Sequence, residues 1–129
     1  MCTNSSPTLD AYDRYMKATG AVYDNTTQLL RITLEQYNDL QSLYFIVDDT
    51  TYELIPNAQI LPRTTNTGII GGDNDHLYLV VFDLGQIDSN GLDYIAGMTF
   101  LQRYYSVYDQ DCPSVGFAKT PFTDVMDIN

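Results

Sequence analysis

A chain of 129 residues with 44% hydrophobic residues and 11 tyrosines has the length and apolar content of one folded domain, burying roughly two-thirds of its unfolded surface. Its net charge of −11 and pI near 4.1 exclude partners that must be neutralised by Lys and Arg, namely nucleic acid and anionic membrane surfaces. The acidic excess suits work in acid, where carboxylates are partly protonated and repel less, although composition by itself favours an ordinary solvated acidic surface.

No apolar run reaches the ~20 residues of a membrane-spanning helix, and residues 1–7 have neither the basic start nor the apolar middle of a secretory leader. Two cysteines, Cys2 and Cys112, with the single histidine, His76, are too few for a zinc site. The even cysteine count allows a Cys2–Cys112 disulfide, with two free thiols the favoured alternative. Asn4-Ser5-Ser6 and Asn25-Thr26-Thr27 are glycosylation sequons; they fit an oxidising, secreted setting, and such triplets also arise by chance.

In chain order, Ser6-Pro7-Thr8 with Asp10 is a helix start, and Leu9, Tyr12 and Met16 then fall on one face up to the terminator Gly20. Residues 29–32 read as a short strand. Thr33-Leu34-Glu35-Gln36 is a capping box that opens a brief helix through residue 40. Residues 43–47 and 51–55 form a hairpin across Asp48-Asp49-Thr50, with Phe45 and Val47 on one face and Tyr52 and Leu54 on one face of the partner. A turn at residues 56–59 and a glycine-rich loop over residues 63–76 follow. Residues 77–84 are almost continuously apolar, the pattern of a strand buried on both faces.

A loop over residues 86–91 precedes a short apolar strand, residues 94–96, that stops at Gly97 for close approach or an unusual φ. One or two helical turns carry Phe100, Leu101 and Arg103. From Tyr104 to Asp109 alternate residues divide between two faces, Gln110-Asp111-Cys112-Pro113 is a turn, and Val115-Gly116-Phe117-Ala118 returns. The tail beyond residue 118 has no periodicity and is expected to fray.

This last region resembles the C-terminal signature of pepsin-like aspartic proteases. Ile95-Ala96-Gly97, Phe100-Leu101, Arg103, Tyr104-Tyr105-Ser106-Val107-Tyr108-Asp109 and Val115-Gly116-Phe117-Ala118 stand in register with it. Ile60-Leu61-Pro62-Arg63, Ile70-Gly71-Gly72 and Leu77-Tyr78-Leu79-Val80-Val81 match segments of the secreted acid proteases of basidiomycete fungi. The resemblance implies an all-β chain with two or three short helices, the C-terminal lobe of a bilobal fold. It implies an unmatched segment over residues 1–8, the lobe over residues 9–122 and a tail over residues 123–129. Secretion, peptide or protein substrates, and no cofactor follow from it. The position of Ile95 lines substrate pockets in that family, with a core isoleucine the alternative reading.

The chemistry of that family needs two carboxylates sharing a proton, each from an Asp-Thr-Gly or Asp-Ser-Gly turn. Neither triplet occurs in the chain, so no catalytic residue is assigned. Asn66-Thr67-Gly68 carries an amide in place of the acid, and Asp88-Ser89-Asn90-Gly91 has an extra residue; both read as surface turns. His76 reads as a solvated loop histidine. Asp48-Asp49 and Asp73-Asn74-Asp75 lack the ligand spacing of a calcium loop and read as solvated turns, with no metal site. Two functions remain in view: a lobe portion of an acid endopeptidase that supplies cleft wall and interlobe sheet, or a standalone, non-catalytic module that binds peptides or a protease.

Overall fold

The computed structural model describes residues 7–83 and 95–126. In chain order they form α1 (Pro7–Thr19), strands β1 (Val22–Asp24) and β2 (Leu29–Ile32), α2 (Leu34–Asn38), strands β3 (Leu43–Val47) and β4 (Thr50–Leu54), 3-10 turns at Pro56–Gln59 and Arg63–Thr65, β5 (Leu77–Tyr78), α3 (Met98–Leu101), and strands β6 (Tyr104–Asp109) and β7 (Ser114–Lys119). They divide into two compact units, one within Met1–Leu40 and Leu61–Ile95, the other within Gln41–Ile60 and Ala96–Asn129.

In the first unit, α1 starts at Pro7, whose fixed φ and missing N–H suit a first helical position. It ends at Gly20, where φ is +69°, a left-handed value that glycine takes without a Cβ clash. The Gly20 carbonyl accepts from the Gln36 amide at 2.8 Å. The same Gln36 closes the expected capping box: its Oε1 accepts from the Thr33 N–H at 2.8 Å, while the Thr33 hydroxyl accepts from the Gln36 N–H at 3.2 Å. One side chain therefore fixes both the exit of α1 and the start of α2.

Strand β1, which the sequence did not announce, pairs antiparallel with β2, and β2 with β5. The buried side chains Tyr15, Leu30, Ile32, Leu77, Tyr78 and Leu79 make this unit's core, each worth roughly 1.5–3 kcal/mol of apolar burial. The expected strand over residues 77–84 is much shorter than its apolar run. The Leu79 N–H still bonds the Leu30 carbonyl at 2.8 Å, but strand pairing covers only Leu77 and Tyr78, opposite Ile32 and Arg31. Val80 and Val81 are half-buried, and Phe82 is exposed.

In the second unit, β3 and β4 pair in the expected register, Phe45 opposite Tyr52 and Leu43 opposite Leu54. Thr50 belongs to β4, so the turn is the two residues Asp48 and Asp49, with φ of 45° and 64°. Two left-handed residues match the twist of a two-residue hairpin, and Asp tolerates them. The Tyr104–Asp109 and Ser114–Lys119 strands pair as expected, Tyr104 opposite Lys119 and Asp109 opposite Ser114. Phe100 lies at the centre of the aromatic core. It stacks on Tyr104 at 4.8 Å and meets Phe117, Tyr52 and Phe45 edge-on at 5.1, 6.2 and 6.3 Å, all separations that favour aromatic pairing.

Two expectations for this unit are corrected. Residues 95–97 form no strand, and Gly97 has φ −79° and ψ −172° with open space around a Cβ; any residue adopts that backbone. Tyr94 lies outside the described residues. The tail does not fray over residues 120–125: Thr123 is buried, and its hydroxyl donates to the Arg103 carbonyl and accepts from the Thr120 N–H. A threonine anchor of this kind leaves no periodic trace in a sequence.

Candidate functional surface

Strand alternation gives the β6–β7 hairpin two unlike faces. Tyr104 and, across the ladder, Phe117 point into the aromatic core. The other face carries Tyr105 and Val107, opposite Ala118 and Gly116; Tyr105 is 65% and Val107 50% exposed. Towards the turn, Tyr108 and its partner Val115 are also exposed. Among the described residues the hairpin has no third strand, so each strand keeps an open edge. Open edges beside exposed tyrosine and valine set this face apart from the packed one.

Tyr104 joins this hairpin to the one before it. Its hydroxyl donates to the Glu53 carbonyl at 2.5 Å and accepts from the Glu53 N–H at 2.9 Å. Glu53 and Tyr44 face one another one step from the Phe45–Tyr52 pair, so the Glu53 backbone groups point away from β3 and the phenol closes that part of the β4 edge. Burial raises the Tyr104 pKa above its ordinary value, keeping the donor proton in place.

Arg103, the basic residue of the matched signature, is 1% exposed. Its Nη2 donates to Asn57 Oδ1 at 2.8 Å, and its Nη1 donates to the Val125 carbonyl at 2.6 Å and the Phe122 carbonyl at 3.3 Å. The guanidinium fork thus ties the 3-10 turn Pro56–Gln59 to the tail. The one available hint was an isolated cation between Phe100-Leu101 and Tyr104-Tyr105, where apolar neighbours on both sides leave it little water.

The groups that could do chemistry are placed as follows. Asn66-Thr67-Gly68 is a turn with Thr67 and Gly68 exposed, but Asn66 itself is buried, and its Nδ2 donates to the Asp73 and His76 carbonyls, each at 3.1 Å. Its Oδ1 is buried with no hydrogen-bond partner among the described residues. The amide pins the loop from inside, where a carboxylate would face two carbonyl oxygens. Nor is His76 simply solvated. Its Nδ1 lies 2.8 and 3.0 Å from the two Asp73 oxygens, and Arg31 Nη1 is 4.0 Å from the same carboxylate. The hydrogen bond from His76, with those from the Asp75 and His76 amides, holds the Asp73 carboxyl below its ordinary range. No described serine or cysteine hydroxyl or thiol is bonded to this pair, and its hydrogen bonds brace the loop.

Ile95 is 51% exposed among the described residues. Cys112 is free and exposed in the hairpin turn; Cys2, like Asn4 and the residues 88–91 turn, lies outside the described residues. Asn25 is exposed in the β1–β2 turn. Asp48 and Asp49 form the exposed β3–β4 tip, and no group of three or more His, Cys, Asp or Glu among the described residues is placed to hold a metal ion.

Comparison with known proteins gives this surface its context. The family model for eukaryotic aspartyl proteases matches residues 5–120. Polyporopepsin from Irpex lacteus is 54% identical over 114 residues, 88% of this chain and 33% of that protein. Human gastricsin is 35% identical over 104 residues, 80% of this chain and 24% of that protein. The crystal structure of an aspartic proteinase from Irpex lacteus matches with a TM-score of 0.82 at 53% identity, covering 91% of this chain and 34% of the other. The chain therefore spans about a third or less of the length of these relatives.

Proposed function

The chain belongs to the pepsin-like aspartic proteases, given the family match over residues 5–120, and from that membership we propose that it is a C-terminal-lobe portion of an acid endopeptidase. Its strand-rich architecture with few short helices is the fold of that family. In the proposed whole enzyme, a water held between two proton-sharing carboxylates attacks the peptide carbonyl. Neither carboxylate comes from this chain, which has no Asp-Thr-Gly or Asp-Ser-Gly.

The contribution of the chain is then scaffold and wall. The hairpin of β6 and β7 offers its open edges and its Tyr105–Val107 face to an interlobe sheet, and Ile95 lines the cleft that holds a peptide or protein substrate. The observation that carries this reading is the contrast within the second unit, where Phe100, Tyr104 and Phe117 pack together while Tyr105 and Val107 stand exposed. Secretion is part of the same proposal, supported by kinship with polyporopepsin and gastricsin.

Sequencing the genomic DNA and transcript upstream of Met1 tests the proposal. An in-frame Asp-Thr/Ser-Gly turn and a preceding lobe upstream of Met1 are expected. An untranslated leader with its own promoter directly before Met1 overturns the reading and favours the standalone binding module.

A further inference from the structure

We propose that Asn25 is an N-glycan acceptor whose first sugar is seated by Tyr23, on the tip of the β1–β2 turn. The inference rests on the secretion reading above and adds a modification site to it. Asp24 pairs with Leu29 across the ladder, leaving residues 25–28 as the loop. Asp24 organises that loop: its carboxylate accepts from the Thr26 N–H at 3.0 Å and from the Thr27 hydroxyl at 3.2 Å, and its carbonyl accepts from the Gln28 N–H at 2.8 Å. Gln28 completes the reversal with φ +59°. The Asn25 side chain is exposed and makes no hydrogen bond among the described residues. The acceptor amide is therefore free, while the hydroxyl residue two positions on, which the sequon requires, is held in place.

Tyr23 supplies the second, independent observation. It stands two residues before Asn25 on the flank of the turn, opposite Leu30, and is 48% exposed. On this proposal its ring covers the first N-acetylglucosamine, whose CH face is apolar. Transfer from a lipid-pyrophosphate-linked oligosaccharide forms the bond between Asn25 Nδ2 and sugar C1 and breaks the C1–O bond to pyrophosphate. The lipid pyrophosphate leaves with the bonding pair, and the amide nitrogen releases one proton.

The test expresses the full chain behind a cleavable secretory leader in a eukaryotic host. Because the leader delivers the chain to the transferase whatever its native location, failure here counts against Asn25 and not against the secretion reading. Peptide-N-glycosidase F is expected to remove one glycan mass and leave aspartate at position 25. That change should persist in N4Q and T27S, vanish in N25Q and T27A, and fall at least two-fold in occupancy in Y23A. Unmodified Asn25 in secreted chain, with the host's own glycoproteins carrying their glycans, overturns the proposal. Full occupancy in Y23A overturns the role of Tyr23.

Discussion

Tyr104→Phe removes one oxygen from the second unit and leaves its ring stacking on Phe100 and its edge contact with Tyr52 intact. What is lost is the bridge to both backbone groups of Glu53. Tyr104 is 3% exposed and Glu53 is half-buried, so water reaches the abandoned N–H and carbonyl only in part. Two hydrogen bonds at ~0.5–1.5 kcal/mol each, with some desolvation left uncompensated, give a loss of about 2 kcal/mol. At a urea slope of roughly 2 kcal/mol per molar for a chain of this size, the midpoint falls by about 1 M. Urea titration followed by far-ultraviolet circular dichroism at neutral pH, where the net charge of −11 opposes association, measures this. Hydrogen exchange at the Glu53 N–H should accelerate in parallel. A midpoint within about 0.2 M of the unsubstituted chain, at unchanged slope, refutes the bridging role of the hydroxyl.

Three further outcomes are expected. Asp73 has a folded pKa below its unfolded value, so the stability it contributes is present above about pH 4 and is lost as pH falls through the folded value. The gap in urea midpoint between the chain and Asp73→Asn should therefore narrow from pH 6 to pH 3, and a constant or widening gap contradicts the His76–Asp73 brace. Thr33→Ala opens the capping box and should cost about 1 kcal/mol, read as a midpoint shift; no shift would show that Gln36 alone holds α2. Exposed Tyr105, Val107, Tyr108 and Val115 should drive association once carboxylate charge is lost near pH 4, and light scattering that finds a monomer at both pH 7 and pH 4 argues against the open-edge surface.

Local signals were legible where one residue type performs one job. Gly20 at the left-handed exit of α1, the Thr33–Gln36 box and the β6–β7 alternation all read correctly because each is set within a few residues. Apolar content misled over residues 77–84, since hydrophobicity reports burial and not the presence of a ladder partner; only Leu77 and Tyr78 pair, with Ile32 and Arg31 of β2. Long-range polar contacts were unreadable for a related reason. Asn57 meets Arg103 across 46 positions and Glu53 meets Tyr104 across 51, and nothing local distinguishes these side chains from solvated ones.

Proteolysis by the purified chain tests the division of labour most directly. A symmetric pair of these chains brings together no Asp-Thr-Gly or Asp-Ser-Gly turn, and a single aspartate from a supplied partner lobe cannot both activate water and protonate the leaving amine. Digestion of casein or haemoglobin from pH 2 to pH 6, with and without a statine-type inhibitor, should show no inhibitor-sensitive release of peptides. Inhibitor-sensitive cleavage by rigorously pure chain contradicts the assignment and points to a catalytic carboxylate within these residues, with Asp88 the first to be replaced by asparagine.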